Sequence, residues 1–258
     1  MPIDLTDKQY WEERQEGCGK GSRMRRASPA WEWMPIVLNS LRDRTGCSFL
    51  ELGCSPGEVS ASICAAIPLR AEGVDFADAS EQYLSRMRMA GVPEAVFNRC
   101  DIREFRPGKR YDIVASFGLV EHFSDFETIL DIHDELLAPG GLCIVEVPHF
   151  RHIQFLYHTL FDRKDLSRHN LRVMELEVFR SFAARKSHRV LHLDYCGKLR
   201  FWGADSPPSP AVRAAHNTSS RAVQAAASLL GSVFPANHRW LAPWILYIGQ
   251  KPADIRNA

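Results

Sequence analysis

Phe49-Leu50-Glu51-Leu52-Gly53-Cys54-Ser55-Pro56-Gly57 reads as a short apolar strand that ends in an acid and then turns through two glycines. Such a turn lets a ligand approach bare backbone, because glycine adopts conformations closed to other residues. Spacing separates the nucleotide-binding readings. A phosphate-cradling loop ends in Gly-Lys-Ser/Thr, whereas Gly57 is followed by Glu58. A dinucleotide turn needs G-x-G-x-x-G, but Ser55 and Glu58 stand at its second and third glycine positions, and Glu58 would set a negative charge against a pyrophosphate. Taken alone, the stretch also fits a tight strand-to-helix turn that binds nothing.

Outward from this stretch, β-rich runs recur at CSFLELG (47–53), RAEGVDF (70–76), EAVFNRCD (94–101), YDIVASFG (111–118) and GLCIVEVP (141–148), with helical spacing or capping signals between them. Five such units predict an α/β fold, a parallel sheet with crossover helices. One helix is expected from Ser124, with Glu127 completing a capping box, up to a stop at Pro139-Gly140-Gly141; another is expected over Ser80 to Ala90, ending at Gly91. After Pro148 the pattern changes. FRHIQFLYHTLF (150–161) predicts a short helix inserted over the sheet, followed by a helix over Met174 to Lys186 and a strand at RVLHLDY (189–195). A Pro/Ser break, SPPSP (206–210), then precedes an alanine-rich helix to about Leu230 and a last strand, WILYIGQ (244–250). The last two strands are expected to pair at the sheet edge, giving seven.

The order E-x-G-x-x-x-G (Glu51, Gly53, Gly57), Asp75 at the end of the second strand, Asp101 after the third, Glu121-His122 after the fourth and Leu136-Leu137-Ala138-Pro139-Gly140-Gly141 before the fifth resembles the class I S-adenosylmethionine-dependent methyltransferases. The likeness covers roughly residues 47–150, and it departs at Ser55, where many members have glycine. It implies a Rossmann-like seven-stranded sheet with helices on both faces, and S-adenosylmethionine as cofactor. By the same resemblance Glu51 lies near the methionine end, Gly53 and Gly57 shape the loop, Asp75 takes the ribose hydroxyls and Asp101 the adenine amino group. Cys54, Phe76, Ile102 and Phe117 flank these motifs and are expected to line the same site. Residues 1–46 are expected to close over the cofactor, with Tyr10-Trp11-Glu12-Glu13-Arg14 as the closing helix and Arg14 on the methionine carboxylate. The methyltransferase domain is expected over 47–258, with a helical cap from insertions at 149–188 and 197–240.

Methyl transfer is an in-line displacement whose rate can come largely from positioning the acceptor and excluding water. A hydroxyl acceptor must also lose a proton, and neutral imidazole suits that task near pH 7. His122 is the candidate base; a purely structural histidine, bonded to the loop and packed over the cofactor, fits the sequence equally well. His149, directly after the fifth strand, is the next candidate, whereas His133 lies within a crossover helix and should be remote. Some relatives hold a divalent ion with E-x-x-E-H, but the first acid would fall at Gly118, so no metal site is expected. The acceptor is expected to be a small molecule of natural-product or sugar type, methylated at oxygen.

Composition limits the alternatives. Thirty-two Lys plus Arg against 31 Asp plus Glu leave a net charge of +1, which gives no footprint for nucleic acid. Seven scattered cysteines without a C-x-x-C pair predict neither disulfide framework nor zinc knuckle. An acidic start, MPIDLTDKQYWEERQ, and the lack of any long apolar run predict a soluble, cytoplasmic protein without stable membrane insertion. Two other readings compete: a non-catalytic scaffold that keeps the fold, and a lipid methyltransferase resting on membrane through Leu229 to Ile248, with Trp240 and Trp244 at the interface. The basic cluster Lys20, Arg23, Arg25 and Arg26 reads as a solvated face or a phosphate-binding patch.

Overall fold

The computed structural model describes residues 4–6, 10–11, 30–41, 46–199, 229 and 237–253. Its strands are β1 (Ser48–Leu52), β2 (Arg70–Asp75), β3 (Val96–Arg99), β4 (Tyr111–Phe117), β5 (Leu137–Pro148), β6 (Arg189–Cys196) and β7 (Trp244–Gln250). They form one sheet in the order β3-β2-β1-β4-β5-β7-β6. The first five are parallel, and β7 runs antiparallel between β5 and β6. The strand order reverses between β1 and β4, and ligands of open α/β sheets bind at the carboxyl ends of the strands beside such a switch.

The helices are α1 (Ala30–Ser40), α2 (Glu58–Ala66), α3 (Ser80–Met89), α4 (Phe126–Leu136), α5 (His152–Phe161), α6 (Arg163–Leu166) and α7 (Leu176–Lys186), with a 3-10 turn at Val120–His122. Side-chain alternation splits the core into two layers. Leu50, Leu52, Val114, Val145 and Tyr247 pack on one face with Ile129 of α4 and Phe179 of α7. Phe49, Ile113, Ile144 and Ile248 pack on the other with Trp33 of α1 and Ile63 of α2. Both faces are buried, which accounts for strands that read as near-continuous apolar runs.

Several boundaries differ from expectation. Pro139-Gly140-Gly141 does not stop a helix but lies inside β5, because Leu137 is already extended and pairs with Tyr111. Asp125, not Ser124, occupies the cap position of α4, and its side chain makes no capping bond. The helix expected from Met174 starts at Leu176. Gly91 does end α3, with the Val92 N–H bonded to the Met87 carbonyl at 2.9 Å. Within the expected N-terminal segment, α1 belongs to the core, and its Trp33 stacks on Phe117 at 6.0 Å. The expected last strand is β7, and its Ile245 to Ile248 are buried within the sheet rather than presented to a membrane surface. No helix among the described residues is long and apolar enough to cross a membrane. The alanine-rich helix, the Pro/Ser break, the basic cluster and Arg14 lie outside the described residues.

Candidate active site

A cavity of about 760 Å³ opens at the carboxyl ends of β1, β2, β4 and β5. At one end it is floored by Gly53 and Ser55 and walled by Asp75, Phe76, Asp101 and Ile102. Gly53 holds φ at +69°, and a Cβ there would sit 2.7 Å from Leu119 Cδ1, so a side chain would fill the cradle. The Asp75 carboxylate is aimed by two backbone donors: the Ser55 N–H reaches Oδ2 at 3.0 Å and the Ala77 N–H reaches Oδ1 at 2.9 Å. Burial raises its pKa, and these bonds oppose the rise. Asp101 accepts from Arg103 Nε at 3.0 Å and from the same guanidinium at 2.7 Å, which lowers its pKa.

Two carboxylates on neighbouring strand ends, the apolar walls of Phe76, Ile102 and Leu119, and bare backbone at Gly53 fit the adenosine of S-adenosylmethionine. Carboxylates can accept from hydroxyls and an amino group, and apolar walls can cover the faces of a flat base. Phe117 lines the cavity as expected. Three other expected contacts do not. Glu51 shares the pleat parity of Phe49, so its side chain turns toward α2, where it accepts from Ser60 Oγ. Burial pushes its carboxyl up to about 8. Cys54 is buried with Sγ against Gly73 of β2. Gly57 caps α2 at φ +94°, where a Cβ would meet Tyr83 at 2.8 Å. These three build the turn; none of them lines the cavity.

The other end holds Glu121, His122, Glu146, Asp165, His169 and Trp244. His122 lies 3.0 Å by Nδ1 from the Arg168 carbonyl, which only accepts, so Nδ1 carries the proton and the neutral ring keeps its lone pair on Nε2. Nε2 is 3.8 Å from Glu121 Oε1. His169 is fixed in the same way, with Nδ1 2.7 Å from the Asp165 carbonyl and its ring 4.6 Å from that of His122. Burial and the neighbouring Glu146 and Asp165 raise Glu121 to about 8; burial raises Glu146 to about 7. Ligand-type atoms of Glu121, His122 and His169 lie within 4.8 Å of one another. His169 thus adds a third donor to Glu121 and His122 where the acid expected of an E-x-x-E-H site is replaced by Gly118.

The N-terminal strap crosses this end. Asp4 bridges to Phe123, the Leu5 N–H bonds the His122 carbonyl at 2.9 Å, and Trp11 meets the His122 ring edge-on at 5.0 Å. His149 is not brought here. Alternation along β5 sends Glu146 and Pro148 to the cavity and His149 away from it, to the Ala242 carbonyl at 3.1 Å and the ring of Tyr195. Burial lowers the pKa of His149 to about 4. His133 also stays outside, bonded to Ser116 Oγ at 2.8 Å. Sequence reasoning missed Glu146, Asp165 and His169. Of these Glu146 had a signal, as the lone charge in an apolar strand. Trp244, read as an interfacial anchor, lines the cavity.

Residues 13–193 match the family model described as a methyltransferase domain. Over 125 residues the chain is 32% identical to trans-aconitate 2-methyltransferase from Enterobacter sp. (strain 638), a match covering 48% of this chain and 46% of that one. The chain thus spans about half the length of this curated relative. The N-methyltransferase NodS from Bradyrhizobium japonicum WM9, solved with S-adenosyl-L-homocysteine, superposes with a TM-score of 0.58 over 95% of this chain and 100% of that one at 13% identity. A S-adenosylmethionine-dependent methyltransferase from Thiobacillus denitrificans, solved with the same compound, gives 0.58 over 96% and 100% at 16% identity. At these identities the superpositions establish the fold.

Proposed function

The chain belongs to the methyltransferase domain family, and we propose that it transfers the methyl group of S-adenosylmethionine to a hydroxyl of a small-molecule acceptor. The observation that carries this reading is one continuous cavity with Asp75 and Asp101 at one end and His122 at the other.

When bound, S-adenosylmethionine supplies an electrophilic methyl group on a sulfonium. Asp75, held by the Ser55 and Ala77 N–H groups, accepts from the ribose hydroxyls. Asp101 accepts from the adenine amino group once it shares or leaves Arg103. At the acceptor end His122 takes the hydroxyl proton on Nε2, since its Nδ1–H is committed to the Arg168 carbonyl. The imidazolium so formed lies 3.8 Å from Glu121 Oε1. Trp11 and the strap at Asp4 to Thr6 exclude water from that end. A polycarboxylate such as trans-aconitate is poorly matched here. Among the described lining residues the only guanidinium or ammonium is Arg103, already shared between Asp101 and Asp4.

The test is methyl transfer from labelled S-adenosylmethionine to a panel of alcohols, amines and carboxylates. Transfer to an alcohol that His122→Ala slows by about a hundredfold or more supports the reading; transfer to carboxylates alone contradicts it.

A further inference from the structure

Glu121 and Glu146 carry an unmet demand for hydrogen-bond donors. Glu121 is 1% exposed and Glu146 8%, and in each the Oε2 atom is buried without a hydrogen-bond partner. Both line the acceptor end of the cavity and lie close enough to interact electrostatically, with Asp165 as a third acid. Buried carboxyl oxygens without donors are costly, and two acids facing one space cannot both ionise there unless a positive group joins them. Among the described lining residues the only guanidinium or ammonium is Arg103, and it is bound to Asp101 and Asp4. The lining does supply indole rings, Trp11 and Trp244, of the kind that receive cationic nitrogen on their faces.

We propose that the acceptor carries an ammonium group beside its reacting hydroxyl, as an amino alcohol or amino sugar does, and that Glu121 and Glu146 receive it. This rests on the reading of that end as the acceptor site. The ammonium donates to the two orphaned Oε2 atoms and brings the neighbouring hydroxyl to His122 Nε2. Glu121 serves both functions, since its Oε1 lies 3.8 Å from His122 Nε2 while its Oε2 is buried without a partner. The same pair rejects carboxylate acceptors by repulsion, and it rejects an N-acetylated analogue, which offers one uncharged N–H in place of three charged donors.

The test is calorimetric titration of the S-adenosylhomocysteine-loaded protein with glucosamine, N-acetylglucosamine and trans-aconitate, on the wild type, Glu146→Gln and Glu121→Gln. Glutamine keeps the shape of each side chain and removes its charge. The expected result is saturable glucosamine binding about tenfold to a hundredfold tighter than that of N-acetylglucosamine, with the difference collapsing in both variants while S-adenosylhomocysteine affinity is kept. Equal affinities, tighter trans-aconitate binding or no saturable glucosamine binding would overturn the proposal. So would loss of S-adenosylhomocysteine affinity in Glu146→Gln, which would assign the pair to the methionine end. Stoichiometric uptake of Mg²⁺ or Zn²⁺ that excludes glucosamine would assign the pair to a metal ion. Should S-adenosylhomocysteine itself not bind, the methyl-transfer reading fails separately, and the amine titration on the ligand-free protein still decides this one.

Discussion

Arg103 grips the Asp101 carboxylate through two nitrogens, at 3.0 and 2.7 Å, and the same guanidinium reaches Asp4 at 3.0 and 2.8 Å. One arginine thus ties the strap at Asp4 to Thr6 to the strand end expected to read adenine, and it neutralises two acids that would otherwise repel.

Arg103→Ala should release that strap. Amide exchange at Leu5, whose N–H bonds the His122 carbonyl at 2.9 Å, should then quicken, while the amides of β1 and β4 stay protected. The bridge is partly exposed, so global stability should fall by no more than about 1 kcal/mol. Unchanged exchange at Leu5 would show that the strap is held by Trp11 and its backbone bonds alone.

Acid should destabilise the fold through buried neutral histidines. His133 is held at about 4 by burial between the Ile129 carbonyl and Ser116, against about 6.5 when unfolded. Between these values the unfolded chain binds the extra proton, so stability falls as pH drops from 6.5 toward 4. The loss is about 1.4 kcal/mol per pH unit for this residue, and His149 and His158, also near 4, add to it. Urea titrations at pH 6.5, 5.5 and 4.5 should show a shallower acid loss in His133→Gln than in the wild type. Parallel losses would show that His133 is not a source of the acid sensitivity.

His122→Ala should leave S-adenosylhomocysteine affinity nearly intact and lower turnover by about a hundredfold to ten-thousandfold. Wild-type activity should fall on the acidic side, because protonated imidazole accepts no proton, and that limb should vanish in the variant. A structural His122 gives another pattern: cofactor affinity and thermal stability fall together, and the pH profile of the remaining activity keeps its shape.

The expected site residues that the cavity brings together sit where spacing and strand ends coincide. Asp75 is the last residue of β2, Asp101 lies two residues past β3, and His122 ends a short turn after β4, so chain order alone put them on one edge. Glu51 was misplaced because position at a strand end does not determine the side of the pleat, and its parity with Phe49 turns it to Ser60 beneath the loop. His149 failed for the same reason on β5, one residue past Pro148. His169 had no local signal. It reaches His122 only because the insertion after β5 folds back through α5 and α6 over the cavity. The seven-strand count was legible in apolar runs, but the antiparallel seat of β7 between β5 and β6 is a tertiary outcome that no local pattern encodes.

The most direct test of the account is a calorimetric titration of the wild type and Asp75→Ala with S-adenosylhomocysteine, alongside NAD on the wild type. The account predicts one S-adenosylhomocysteine per wild-type chain, and affinity about tenfold to a hundredfold weaker in Asp75→Ala, the contribution of a carboxylate accepting from hydroxyls. NAD should not bind, since the loop lacks the glycines that admit a pyrophosphate. Tight NAD binding without S-adenosylhomocysteine binding, or S-adenosylhomocysteine affinity indifferent to Asp75, would contradict it.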